Sequence, residues 1–294
     1  MTDPFEILVS DDWKDYTLVD SGEGRKLERF GRVTVDRPDA QALWPSQTPR
    51  DSWRADAVFD SGGDDEERGK WVFPGRRPPE SWPIAWGPLK LHARCAAFRH
   101  MGVFPEHSVH WSWAAQKIRA AKRPIRLLNV FGYTGMMSLA AAEAGAEVVH
   151  VDASPKSIGH GRENQALSGL SERPIRWICD DAMKFLEREV RRGRTYDALV
   201  LDPPKYGRGP KNEVWRFEQD FPALLQTMRA LLSDQPLFAI LTVYAVRLSF
   251  LSVGQALSGA MDGANGRLGM GEMCIRENGR GFALPTGLFA RMEW

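Results

Sequence analysis

Residues Leu127 to Asp152 constrain the fold more than any other stretch of this chain. An apolar run from Leu127 to Phe131 leads into Gly132-Tyr133-Thr134-Gly135. Met136 to Ala144 is rich in helix formers, and Gly145 suits the position just after a helix. Val148, Val149 and Val151 then make a β-branched run that closes on Asp152. The pattern predicts strand, glycine turn, helix, strand and acid, with Gly132 and Gly135 leaving bare backbone for a ligand. An acid about twenty residues beyond such a turn is placed to grip ribose hydroxyls. The segment therefore predicts a ligand with an adenosine-like end.

The turn departs from a dinucleotide fingerprint. Gly-Tyr-Thr-Gly does not spell GxGxxG, and Tyr133 stands where a pyrophosphate needs close backbone approach. A ligand with a ribose and no phosphate at the turn fits better: S-adenosylmethionine suits the segment, and a nicotinamide dinucleotide suits it poorly. Taken alone, the segment also reads as an ordinary βαβ unit ending in a surface acid.

Bulk properties exclude several classes. The chain has 294 residues, 43% of them hydrophobic and 26% charged, as in an ordinary globular protein. No apolar run approaches the roughly 20 residues of a membrane span, and the first residues show no basic region with an apolar core behind it. Cys95, Cys179 and Cys274 are widely spaced and odd in number, which points to reduced thiols in the cytoplasm and to no metal site. Net charge is +1, so there is no global basic signature. Two local patches, Lys117, Arg119, Lys122, Arg123 and Arg126, and Arg188, Arg191, Arg192 and Arg194, read either as phosphate contacts or as solvated helix faces.

The first hundred residues differ in texture from the rest. Short β-like runs, Tyr16 to Asp20, Arg32 to Val35 and Lys70 to Phe73, are separated by turn residues such as Ser21-Gly22-Glu23-Gly24 and Ser61-Gly62-Gly63-Asp64. Trp13, Trp44, Trp53, Trp71, Trp82 and Trp86 read as packing aromatics of a small β-rich domain and its border. From Arg126 strands and helices alternate: helix Pro155 to Leu170, strand Pro174 to Cys179, helix Ala182 to Arg192, strand Tyr196 to Leu201, helix Phe217 to Leu232, strand Pro236 to Tyr244 and helix Phe250 to Met261. Such alternation predicts a parallel sheet covered on both faces. Gly269 to Glu277 and Leu288 to Trp294 read as two closing strands.

The strand from Tyr196 ends in Asp202-Pro203-Pro204-Lys205-Tyr206. The C-terminal edge of a parallel sheet is where ligands bind. Two prolines after the acid fix the backbone and remove two N–H donors, so the carbonyls and Asp202 are expected to face the ligand and align an amino or imino nitrogen. Earlier, Cys179-Asp180-Asp181-Ala182 closes the preceding strand; Asp180 reads as a helix cap and Asp181 as an acceptor for an adenine amino group.

These motifs together resemble the class I S-adenosylmethionine-dependent methyltransferases, and most of all the bacterial branch that includes ribosomal RNA large-subunit base methyltransferases. The resemblance covers roughly Leu89 to Trp294. It implies an α/β fold with a Rossmann-like, seven-stranded, mostly parallel sheet and an antiparallel terminal strand, beside the small N-terminal β-rich domain. The expected domains are residues 1–97 and 98–294. It implies S-adenosyl-L-methionine held by Asn129, Phe131, Gly132, Tyr133, Thr134, Gly135, Asp152, Ala153, Asp181, Ala182 and Asp202, with the methionine part at the turn. An upstream loop matching Phe104, Pro105 and Glu106 folds over the cofactor in related enzymes, and His100 and His107 nearby read as structural or solvated. Asp202, Pro203, Pro204, Lys205 and Tyr206 face the methyl group, with Tyr206 in the place of a base-stacking aromatic.

Pyrimidine C5 methylation needs a cysteine nucleophile, which follows the fifth strand in related enzymes. Leu237 to Ala245 contains none. The sequence thus points to a cytoplasmic enzyme methylating a base nitrogen of ribosomal RNA by direct in-line transfer. RNA is the expected partner, no membrane is involved, and a homodimer stays open. A small-molecule or protein substrate, or an RNA-binding module without turnover, are the alternatives.

Overall fold

The computed structural model describes residues 5–11, 13–61, 69–96, 98–244, 246–262 and 265–294. The chain divides into two compact units that interleave in sequence. An α/β unit takes residues 5–8, 109–273 and 287–294, and a β-rich unit takes residues 9–108 and 274–286. Residues 98–108, including the segment around Phe104, thus group with the β-rich unit.

After β1 (Phe5–Ser10), the β-rich unit is built on β2 (Tyr16–Gly22), β3 (Arg25–Phe30), β4 (Val33–Pro38), β5 (Ala57–Asp60) and β6 (Lys70–Val72), which form one sheet in that order. β7 (Trp82–Trp86) and β8 (Leu89–Ala93) form a separate antiparallel pair. Ser21-Gly22-Glu23-Gly24 makes the β2–β3 turn, with Glu23 (φ 54°) and Gly24 (φ 73°) both left-handed, as a two-residue hairpin turn requires. Residues 62–64 of the second expected loop lie outside the described residues. Trp13 and Trp82 are buried, and Trp44, Trp53, Trp71 and Trp86 are half-buried. Their indole N–H groups are used within the unit: Trp53 donates to Asp20 at 3.1 Å, Trp71 to the Ala96 carbonyl at 2.7 Å and Trp82 to the Phe30 carbonyl at 2.9 Å.

In the α/β unit, α1 (Ser108–Ala120) precedes β9 (Arg126–Val130), α2 (Met136–Glu143), β10 (Glu147–Asp152), α3 (Pro155–Leu167), β11 (Ile175–Cys179), α4 (Ala182–Arg191) and β12 (Ala198–Leu201). A short hairpin, β13 (Tyr206–Arg208) and β14 (Val214–Arg216), interrupts the alternation before α5 (Phe217–Leu231), β15 (Phe238–Val243), α6 (Phe250–Ala260), β16 (Arg267–Arg276) and β17 (Ala283–Glu293). The sheet order is β1-β16-β17-β15-β12-β9-β10-β11. β15, β12, β9, β10 and β11 are parallel in register, and β17 is antiparallel to β15. The sheet has eight strands where seven were expected, because β1, near the start of the chain, adds to its edge. Alternation along the strands explains the two covered faces. Leu128, Val130, Leu199, Leu201, Ala239 and Leu241 pack with Phe185, Leu224 and Leu257 of α4, α5 and α6. The alternate residues face the other way, where Trp113 of α1 meets Phe238 edge-on at 5.2 Å.

Candidate functional site

The C-terminal ends of β12, β9, β10 and β11 lie side by side and carry Asp202, the Gly132–Gly135 turn, Asp152 and Asp181 in that order. With strands spaced about 4.8 Å apart, the outer acids stand on strands roughly 14 Å from one another.

The turn is unusual in its backbone. Phe131 (φ 58°), Tyr133 (φ 51°) and Gly135 (φ 88°) are all left-handed. For the two aromatic residues this costs about 1–2 kcal/mol each, so surrounding contacts must hold it. The Gly132 N–H bonds the Val151 carbonyl at 3.1 Å, and the Tyr133 N–H donates to Asp152 Oδ2 at 2.8 Å. The Phe131 ring packs on Trp215 of β14, centroids 5.1 Å apart. Beneath the turn, Asn129, His150 and Trp177 stand side by side on β9, β10 and β11. Asn129 Nδ2 donates to Ser138 Oγ at 2.9 Å, and Ser138 Oγ lies 2.9 Å from His150 Nδ1. His150 is fully buried with Nε2 unpartnered, and burial pushes its pKa down to about 3 against a weaker opposing contact with the Tyr133 backbone. The imidazole is therefore neutral.

This packing revises the role expected of the glycines. A Cβ at Gly132 would come within 2.6 Å of His150 Nδ1 and 2.8 Å of Asn129 Nδ2, and one at Gly135 within 2.5 Å of the Trp177 ring. The space that a side chain would fill belongs to the protein's own His150 and Trp177. The glycines let the turn press onto the sheet. Thr134 is buried, and its carbonyl accepts from Asn164 Nδ2 of α3 at 3.1 Å.

Asp152 also accepts the Ser154 N–H at 2.8 Å, one backbone donor for each oxygen. A carboxylate offers about four lone-pair sites, so capacity for hydroxyl donors is left. Burial raises its pKa, and the two N–H groups only partly offset this. Asp181, expected at adenine, is the N-cap of α4: its Oδ1 accepts the Lys184 N–H at 3.0 Å. Asp180, expected as the cap, instead pairs with Arg188 at 2.5 Å, because its position one residue earlier turns its side chain to the last turns of α4. Ala182 begins α4 and is buried, while Ala153 follows Asp152 and offers its carbonyl to Cys179 Sγ at 3.7 Å.

Asp202 Oδ1 accepts the Thr242 hydroxyl of β15 at 2.5 Å. Two of the carbonyls that follow already accept a hydrogen bond from the hairpin and the start of α5. Trp215 Nε1 donates to the Pro204 carbonyl at 2.6 Å, and the Phe217 N–H donates to the Lys205 carbonyl at 3.0 Å. Pro203 is buried, and Lys205 and Tyr206 are exposed. The hairpin β13–β14 thus braces the Asp-Pro-Pro segment. Its loop also reaches α4, where Glu213 pairs with Lys184 at 2.6 Å and a Cβ on Gly209 would lie 3.0 Å from Asp181 Oδ2.

The model of the S-adenosylmethionine-dependent methyltransferase family matches residues 64–258. A solved methyltransferase of Agrobacterium tumefaciens is 48% identical with a TM-score of 0.93, covering 98% of this chain and 93% of its own. The chain belongs to the S-adenosylmethionine-dependent methyltransferases. Among curated relatives, ribosomal RNA large subunit methyltransferase I of Aeromonas salmonicida is 39% identical over 94 residues, 32% of this chain. Ribosomal RNA large subunit methyltransferase K/L of Cellvibrio japonicus is 30% identical over 151 residues, 51% of this chain. The matches span only 23% and 19% of those two relatives' own lengths.

The donor set of the strand ends fits the methyltransferase cofactor. S-adenosylmethionine carries a positive sulfonium and an ammonium beside its ribose hydroxyls. Asp152, Asp181 and Asp202 offer carboxylates to such groups, and residues 129–135 contain no lysine or arginine to receive a diphosphate. Phe104, Pro105 and Glu106 lie in the β-rich unit, where the Phe104 ring sits between His100 and His107, centroids 5.0 and 5.9 Å away. Among the basic patches, Lys117 pairs with Glu293, Arg119 with Glu143, Arg123 with Asp197, Arg188 with Asp180 and Arg192 with Glu189. These are mostly neutralised faces. Trp215, Thr242, Ser138 and His150 escaped the sequence reading. Each acts through a partner on another element, and only the turn-like Gly209-Pro210-Lys211-Asn212 hinted at the hairpin.

Proposed function

We propose that this methyltransferase acts on a base nitrogen of ribosomal RNA by direct in-line transfer, without a covalent cysteine intermediate. The observation that carries the reading is Asp202, fixed by Thr242 behind two prolines, with no cysteine in residues 237–249 beside it. Nor do Cys95 and Cys179 have the lowered pKa of a nucleophile. Cys95 is pushed up to about 11 by burial, Cys179 is raised by burial and by Asp152 and Asp180, and Cys274 is buried in the β-rich unit.

In this reading the cofactor supplies a methyl group on positive sulfur, whose departure leaves a neutral thioether. Asp152 accepts the ribose hydroxyls. Asp181 and the Ala182 N–H receive the adenine edge, with Ala153 lining the same side. Asn129, Phe131, Gly132, Tyr133, Thr134 and Gly135 border the methionine part. α2 starts at Gly135 without a side-chain cap, which leaves N–H donors for the methionine carboxylate. Asp202 accepts a hydrogen bond from the target amino or imino nitrogen and so aims its lone pair; as the N–CH3 bond forms and the S–CH3 bond breaks, the nitrogen sheds that proton through Asp202 to solvent, while Pro203 and Pro204 keep the acid from swinging. Lys205 and Tyr206 border the incoming base. The small β-rich domain and the methyltransferase domain together form a cytoplasmic enzyme. No helix among the described residues is long and apolar enough to cross a membrane.

The test is mass spectrometry of nucleosides from ribosomal RNA of cells with and without the protein. One missing N-methylated nucleoside is the expected result. A missing C5-methylated pyrimidine would overturn the nitrogen target, and an unchanged profile would overturn the RNA substrate.

A further inference from the structure

The β13–β14 hairpin has two dissimilar faces. Tyr206 pairs with Arg216, Gly207 with Trp215 and Arg208 with Val214. Side chains alternate across a strand, so Gly207 and Trp215 share one face, and Tyr206, Arg208, Val214 and Arg216 share the other. The first face is bound to the site: Trp215 is buried against Phe131 and bonds the Pro204 carbonyl. The second is in solvent, with Tyr206 51% and Val214 48% exposed and both arginines exposed as well. Two-residue steps along a strand set Tyr206 and Arg208 about 7 Å apart, and cross-strand pairs stand about 5 Å apart. An aromatic ring and an apolar side chain thus alternate with two cations on one small surface.

Among the described residues, the cations of this surface have no carboxylate partners. The arginines and lysines of the two patches noted above mostly meet carboxylates. Among the described residues, no carboxylate pairs with the side chains of Lys205, Arg208, Lys211 or Arg216. Glu213, in the hairpin loop, is taken by Lys184, and Asp220 accepts the Arg216 backbone N–H at 2.7 Å. Cations left unpaired beside an exposed aromatic suit a single nucleic-acid strand, whose phosphates meet the arginines while a base stacks on the ring. A strand lying here would also run directly into Asp202, because the hairpin follows Pro204 and is bonded to it.

We infer that the outer face of the β13–β14 hairpin is the docking surface for the unpaired RNA strand flanking the target base, with Arg208 and Arg216 on successive phosphates. This rests on the RNA reading proposed above. The test is fluorescence anisotropy of a labelled, short single-stranded RNA against the full chain across a salt series, with S-adenosylmethionine binding followed in parallel by calorimetry. For an Arg208→Gln/Arg216→Gln variant, the slope of log K against log salt should become shallower by about 1.4, at about 0.7 per phosphate contact on a single strand, with affinity at low salt down by about tenfold. Val214→Lys, which adds a cation to the same face, should steepen the slope by about 0.7. Cofactor binding should be unchanged in both. Slopes and affinities equal to wild type in both variants overturn the hairpin assignment and leave the RNA reading standing. A wild-type chain that binds cofactor but no RNA at low salt overturns both. If the double variant loses cofactor binding, and so its fold, Val214→Lys alone decides.

Discussion

Asp152 shows how one side chain links turn and ligand. Its two oxygens hold the backbone of Tyr133 and Ser154, so it shapes the turn as well as offering acceptors. Asp152→Asn keeps the size of the side chain and one acceptor, but sets an NH2 donor against one of those two backbone N–H groups. Asp152→Ala should weaken S-adenosylmethionine binding by about 1–3 kcal/mol in calorimetry, since it leaves buried donors without partners. His150 supports the same turn from below and gives a signed pH prediction. The folded-state pKa is about 3, against an ordinary 6.5. The folded chain therefore binds a proton at lower pH than the unfolded chain. The stability associated with the neutral ring is complete above pH 6.5 and is lost as pH falls toward 3. Between pH 7.5 and pH 5 about 2 kcal/mol should disappear, read as a drop in urea midpoint, and His150→Gln should lack that component. Gly135→Ala forces a side chain into Trp177 at a left-handed φ, and should destabilise the chain by at least about 1–2 kcal/mol.

At the scale of elements, the βαβ modules carry their own signals. β-branched runs bounded by glycine, and the apolar stripe Phe185, Leu186 and Val190 on α4, mark strands and helices to within a few residues. The β13–β14 hairpin carried weaker signals, because its strands are three residues each and its single buried side chain is Trp215. Its role lies in the indole bond to the Pro204 carbonyl. Trp215→Phe should leave cofactor affinity nearly unchanged while lowering kcat, because it frees the Asp-Pro-Pro segment without touching Asp152. Single-turnover methyl transfer from labelled donor, compared with calorimetric binding of the cofactor, separates the two effects. Equal losses in both would show that the hairpin holds the cofactor itself.

For the whole molecule, cofactor binding and stability are linked. A ligand that binds only the folded state adds about 2.7 kcal/mol at a concentration one hundred times its Kd. S-adenosylmethionine should therefore raise the thermal midpoint of the wild-type chain, and the same concentration should raise that of Asp152→Ala much less. The balanced charge of +1 also has a consequence at this scale. With positive and negative charges nearly balanced, RNA binding should depend on salt through a few local contacts, and its slope should be far shallower than that of a globally basic protein.

The parallel α/β core and the acids at its strand ends were legible in the linear chain. Periodicity, glycine punctuation and the spacing from Gly132 to Asp152 are local, and local patterns survive in a linear chain. It also marked Asp202-Pro203-Pro204 as a rigid stop at the ligand edge. Which neighbours those residues meet is set by how the elements pack. The glycines of the turn serve His150 and Trp177, Asp181 rather than Asp180 caps α4, and the Pro204 carbonyl is closed by Trp215. The eighth strand and the interleaving of the two units likewise join segments far apart in sequence. A pattern along the chain reports which face of an element is buried. It does not report which distant side chain fills the space opposite, because packing sets that choice once the elements have met.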